Sequence, residues 1–159
     1  MDLGTAIVGM ICIAVCAMPF ALISRNIKKK EKQLLESIKE LAKQHNHEIT
    51  QHEICGNYVI GTDVSKNFLF FQLNTKKEVK QQFIDLSTIK SCNISNISRK
   101  TANGKVVERL DLELIPKDKN MSVIVLEFYS IDLSFQLNGE LQSIEKWNNL
   151  IKKQLTENK

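Results

Sequence analysis

Proline and glycine are scarce, with two and six residues in a chain of 159. That excludes a collagen-like protein or a Pro-rich linker. Histidine occurs only at 45, 47 and 52, so any Ser-His-Asp arrangement would have to be built in that one short stretch. There is no Gly-rich phosphate loop, no zinc-protease helix and no nucleophile elbow. The chain therefore reads as a non-enzyme with no cofactor. Neither sign of charge dominates: 22 Lys and Arg stand against 18 Asp and Glu, a net +4. Outside one basic strip the two signs nearly cancel. The clustered Lys and Arg of a nucleic-acid surface are missing, so nucleic acid is not an expected partner. At 43% hydrophobic and 25% charged, the chain suits one folded domain with an appendage.

Charge is wholly absent from 3–23. As a helix at ~1.5 Å per residue that run reaches roughly 32 Å, about the thickness of a bilayer's hydrocarbon core. The sequence thus predicts a transmembrane anchor over 1–24. A cleaved signal peptide would carry a basic start, and here the start is Met1-Asp2. Arg25, Lys28, Lys29, Lys30 and Lys32 follow the run, opposed only by Glu31. The positive-inside rule then places the N-terminus outside and the remainder in the cytoplasm, in a single-pass cell-membrane protein. The same five side chains would meet lipid headgroups, making the bilayer itself a partner.

From 25 to 50 the chain reads as a basic juxtamembrane strip leading into an amphipathic connecting helix. Leu34, Leu35, Ile38, Leu41 and Ala42 recur at helical spacing and form one stripe. The stripe is expected to dock on the following domain. Alternatively, Leu34, Ile38 and Leu41 would pair with a second copy, giving a homo-oligomer through this helix or the anchor, although only two heptads are present. Beyond the helix, His45, His47, His52 and Cys55 are weak metal-ligand candidates, since zinc favours imidazole and thiolate. Their spacing fits no tight ligand frame, and a solvated linker is the plainer reading.

From about 51 onward the period changes from helical to alternating. Strands are predicted at 54–60, 68–73, 79–84, 89–97, 106–114, 121–128 and 131–137. Asn103-Gly104 marks a hairpin. A helix follows over 140–155 with Asn138 as its N-cap, and Leu141, Ile144, Trp147, Ile151 and Leu155 on its buried stripe. The expected class is α+β: a transmembrane helix, an amphipathic connecting helix, then a seven-stranded antiparallel bent sheet or barrel capped by a C-terminal helix, over 51–159.

This element order, together with Glu140-Leu-Gln-Ser-Ile-Glu-Lys-Trp147-Asn-Asn-Leu-Ile151, resembles the pleckstrin-homology-like superfold and its last helix. The resemblance implies a binding module without catalysis and gives Trp147 a place in the structural core. It also implies that lipid-binding members grip inositol phosphates with basic residues around the first interstrand loop. Here the loop read in that position, 61–67, carries Lys66 but also Asp63, which speaks against such binding. Three functions follow as expectations. The first is a membrane-anchored cytoplasmic interaction module that docks a protein or peptide or reads the membrane surface. The second is an accessory structural subunit of a larger membrane complex. The third is a metal or redox sensor built on His45, His47, His52 and Cys55.

Overall fold

The N-terminal part of the chain is one uninterrupted helix, α1, over Leu3–Gln44. The computed structural model describes residues 3–157 apart from 103 and 135. The side chains of 3–9 and 14–24 also lie outside what it describes. This helix corrects the sequence expectation. Among the described residues no helix is long and apolar enough to cross a membrane. The physical reason is the make-up of the described surface of α1: four apolar side chains at Met10–Ile13, then a highly charged stretch from Arg25. The transmembrane helix, the single-pass cell-membrane location and the orientation drawn from them are therefore not supported. Much of the predicted 1–24 anchor lies outside the described side chains. Arg25, Lys28, Lys29, Lys30 and Lys32, expected to meet lipid headgroups, are all exposed on α1.

The helix ends in a Schellman motif. Asn46 takes the left-handed conformation (φ 59). The His47 N–H reaches the Ala42 carbonyl at 2.9 Å, and the Asn46 N–H reaches that of Lys43 at 3.0 Å. Both bonds satisfy carbonyls that the last turn would otherwise leave open.

Seven strands follow: β1 (Gln51–Cys55), β2 (Tyr58–Asp63), β3 (Phe68–Asn74), β4 (Val79–Asp85), β5 (Ile89–Thr101), β6 (Gly104–Pro116) and β7 (Ile124–Ser130). They form two antiparallel sheets, ordered β1-β2-β3-β4 and β5-β6-β7. A single 3-10 turn, Leu86–Thr88, joins the sheets, with the Asp85 carboxylate accepting from the Ser87 N–H at 2.8 Å. The last element is α2 (Glu140–Glu157). The class is α+β, with sheets of four and three strands and a C-terminal helix.

The main core lies between the inner faces of both sheets and α2. Tyr58, Ile60, Leu69, Phe71, Leu110, Leu112, Leu114, Leu126, Ile144, Trp147 and Ile151 fill it, each with 1% exposure or less. A second, smaller core covers the outer face of the first sheet. There Leu34, Ile38 and Ala42 of α1 pack on Val59 and Phe70, with Leu41 at its margin. The stripe that could have paired with a second copy is thus covered by the chain's own sheet. Gln72, 2% exposed, ties this interface together: its Oε1 accepts from Ser37 of α1 at 2.9 Å and from Gln81 of β4 at 2.8 Å. Its Nε2 donates to Asn74 at 2.9 Å, so the buried amide has partners at both ends.

Two predicted strands are replaced. The stretch 54–60 is the end of β1, a two-residue turn and the start of β2, because Cys55 pairs with Tyr58. Gly56 makes the turn with φ +55, and a type II′ hairpin calls for glycine at that position. The stretch 131–137 carries no strand among its described residues. The N–H groups of Leu133 and Ser134 turn back to the Ser130 carbonyl, while Leu133 and Leu137 pack against the main core.

Gly56 yields a direct test. A Cβ there would lie 2.8 Å from Oε1 of Glu140, a side chain only 3% exposed and held by the Asn138 N–H. Gly56→Ala therefore meets a neighbour that cannot swing away, in a backbone region that costs L-residues about 1–2 kcal/mol. Urea unfolding is expected to show a loss of that order, with the slope unchanged.

Candidate functional site

A groove of about 770 Å³ lies at one end of the sheets. Four parts of the fold build it. α1 contributes Lys30, Gln33 and Leu34, and the β1–β2 turn contributes Gly56 and Asn57. Residues 74–80 around the β3–β4 turn form a second wall. Arg109 of β6, with Glu127, Ser130, Asp132 and Leu133 at the end of β7, closes it.

The β3–β4 turn is locally specified. Thr75 Oγ1 donates to the Glu78 carbonyl at 2.8 Å and accepts from the Glu78 N–H at 3.0 Å. The Thr75 N–H reaches the same carbonyl at 2.9 Å. This clamp presents Lys76 and Lys77, both exposed, at the tip.

Charges within the groove divide into committed and uncommitted. The Arg109 Nε meets Asp111 at 2.6 Å and its Nη2 meets Glu127 at 3.2 Å. The Asp111 bond, ahead of the opposing effect of burial, holds the guanidinium more firmly protonated than usual. Lys80 pairs with Glu78 at 3.2 Å. Among the described residues, Lys30, Lys76 and Lys77 make no ion pair, and neither does the Asp132 carboxylate. The groove thus presents three uncommitted ammonium groups around the amides of Gln33, Asn57 and Asn74 and the apolar Leu34 and Leu133. Its two hydroxyls are already used: Thr75 holds the turn, and Ser130 Oγ accepts from the Asp132 N–H at 3.3 Å.

Comparison with known protein families, characterised proteins and solved structures finds no match.

Of the other predicted site residues, His45 and His47 come together against Phe83, outside this groove. His45 stacks on Phe83 (ring centroids 4.1 Å apart, 9° between planes), and Phe83 stacks on Phe68 at 4.9 Å. His47 is bonded through Nδ1 to Asp63 at 3.1 Å and lies against Phe68 at 4.1 Å. His52 is exposed on β1, and Cys55 faces the Asn138 carbonyl at 3.8 Å. Among the described residues no group of three or more His, Cys, Asp or Glu is placed to hold a metal ion. Burial pushes the Cys55 thiol up, and pushes that of Cys92 in the main core up to about 12; low thiolate content makes both poor ligands and nucleophiles.

Asp63 is a structural residue that sequence reading assigned to a loop. It ends β2 and is 2% exposed. Oδ1 accepts from Ser65 Oγ (2.6 Å) and the Lys66 N–H (3.2 Å); Oδ2 accepts from His47 Nδ1 and the Glu48 N–H (3.3 Å). Burial alone would raise its pKa, but these four donors outweigh it and bring the carboxyl down to about 2. One carboxylate thereby fastens the end of α1 to the β2–β3 turn. Trp147, 0% exposed, performs a similar task at the other end: its Nε1 donates to Glu53 Oε2 at 2.9 Å, which Lys146 Nζ also reaches at 2.8 Å.

Lys76, Lys77 and Arg109 went unremarked as site residues in the sequence. The only local signal is the pair of lysines in a short turn. What brings them to Lys30 and Arg109 is the closing of two sheets and the docking of α1.

Proposed function

We propose that the chain is a non-catalytic interaction module that docks a protein or peptide partner in the groove between α1, the β3–β4 turn and the end of β7. The observation that carries this reading is the convergence of three unpaired lysines on a groove where a single carboxylate, that of Asp132, is also unpaired, so that the free charge is net positive. Such a lining offers attraction and hydrogen bonds but no activated nucleophile. Seven antiparallel strands in sheets of four and three, followed by a helix with a buried Trp, support the pleckstrin-homology-like reading and the binding role it implies. Fold by itself does not choose a partner.

Photo-crosslinking tests the reading. A benzophenone side chain replaces the exposed groove residue Gln33 in the full chain, and a second variant carries it in place of Lys119, in an exposed loop far along the sequence from the groove residues. A discrete adduct is expected from position 33 and not from 119, and it should disappear in the double variant Lys76→Glu/Lys77→Glu. Equal labelling from both positions, or no adduct from 33, would overturn the reading.

Exposed apolar residues favour a second reading. Met10, Ile11 and Ile13 are 69%, 56% and 71% exposed on α1, an arrangement suited to packing against a partner's helix. In that case the chain is an accessory subunit held through α1, and Ile11→Asn/Ile13→Asn would release the partner while the groove variants would not.

A further inference from the structure

Each sheet ends in an unpaired strand, and two of those ends face the groove. β4 is the edge of the four-stranded sheet and β7 the edge of the three-stranded one. Lys80 of β4 and Glu127 and Ser130 of β7 line opposite sides. Among the described residues no backbone hydrogen bond joins the two strands. A single side-chain bridge does, from Gln82 Nε2 to the Val125 carbonyl at 3.1 Å. The seam is therefore open at its groove end. There Val79, Lys80 and Gln81 are all exposed, with Val79 at 56%.

An edge strand left unpaired is a template for another chain, and proteins commonly block such edges with charge or cover. Here the basic groups outnumber the acidic ones: Glu78 and Glu127 are neutralised by Lys80 and Arg109, which leaves three free lysines against the one free carboxylate of Asp132. Lys76 and Lys77 stand just before the free stretch, and Lys30 faces it from α1. These lysines discourage a like-charged or neutral strand and attract an acidic one. The apolar Leu34 and Leu133 provide space for alternate side chains of an extended segment, in the manner of strand addition.

We infer that the seam takes an extended acidic segment of a partner protein, its backbone added to the free edge of β4 at Val79–Gln81 and its carboxylates on Lys30, Lys76 and Lys77. This rests on the docking role proposed above and names the class of partner. A second copy of this chain is a poor occupant, since its own groove surface repeats the same positive charge.

The test is selection from a phage-displayed library of randomised peptides on the full chain, run in parallel on Lys76→Glu/Lys77→Glu. Both sites are exposed, so the double variant retains its fold, which circular dichroism checks. Peptides rich in Asp and Glu are expected from the parent chain. The variant should bind them at least about tenfold more weakly, a modest sum for two reversed charges at a partly exposed site. Bound peptide should also slow amide exchange at Val79–Gln81. Peptides without acidic enrichment that still protect those amides would overturn the partner class and leave the docking role standing. Peptides that protect other segments, or no recovered peptides, would overturn the inference outright; crosslinking from position 33 then decides the docking role on its own.

Discussion

Trp147→Ala is expected to lower the unfolding free energy by about 3–5 kcal/mol, the range for emptying an aromatic site in a packed core. Two effects combine. The ring is 0% exposed, at the centre of the cluster joining both sheets to α2, so its removal leaves a cavity that rigid strands cannot close. Its N–H is also a donor to Glu53. Burial alone would raise the pKa of Glu53, but the hydrogen bonds from Lys146 and Trp147 outweigh burial and hold that carboxyl below its ordinary value; without the indole, part of that stabilisation goes. Trp147→Phe separates the two contributions. It keeps most of the volume and removes the N–H, so a smaller loss of about 1–2 kcal/mol is expected. The parent and Phe variant can be compared by circular dichroism in urea, because the only Trp of the chain is the one replaced. A loss below about 1 kcal/mol for Trp147→Ala would mean that α2 is not the lid of the main core.

Acid is expected to weaken the fold through Asp63. Its carboxyl titrates at about 2 in the folded chain against 3.8 ordinarily. Above about pH 5 both folded and unfolded chains carry the anion, and the stabilisation is complete. As the pH falls below 4 the unfolded chain takes up its proton first, and the benefit fades towards pH 2. A shift of this size corresponds to roughly 2–3 kcal/mol. Glu53, whose carboxyl is also held down, moves in the same direction. Asp63→Asn removes the charge and turns an amide against the donors of His47 and Glu48 or of Ser65 and Lys66. The variant should be less stable near neutrality and lose less on going from pH 5 to pH 2. Thermal midpoints measured across that interval decide the matter: a parent chain that is flat from pH 5 to pH 2 would exclude the four-donor arrangement.

Where local pattern and burial coincide, the sequence was legible. The stripe Leu34, Ile38, Ala42 and the stripe Ile144, Trp147, Ile151 lie buried on their helices, since helical spacing directly reports which face is covered. Alternation in 106–114 marked β6 for the same reason. It failed where period two and strand pairing part company. Across 54–60 the apolar pattern runs through Gly56 and Asn57, although the backbone reverses there. At 131–137 alternate apolar residues reach the core from a turn. One strand too few at the start and one too many at the end leave the total at seven by cancellation. Asn138 was read as the N-cap, yet Gly139 immediately precedes α2 with φ +104, its carbonyl accepting from the Ser143 N–H at 3.0 Å. Asn138 instead gives its N–H to the Glu140 carboxylate.

The groove was illegible for a different reason. Lys30, Lys76 and Arg109 belong to three distant segments that meet only in the folded chain. Hydrophobic run length pointed to a bilayer for 3–23, while among the described side chains of α1 it is the stretch from Leu34 to Ala42 that packs on the first sheet. Asp63 looked like an acidic loop residue because its four donors come from a helix end and a turn that meet only after folding.

The placement of α2 bears on how the chain is made. α1 and the first sheet can assemble once residue 85 has emerged from the ribosome, since the contacts between them are short in sequence. The inner faces of Tyr58, Leu69 and Phe71 cannot be sealed until Trp147 of α2 has been synthesised as well. A prematurely terminated polypeptide lacking that closing helix therefore displays a broad greasy sheet, the kind of surface that chaperones retain and proteases clear.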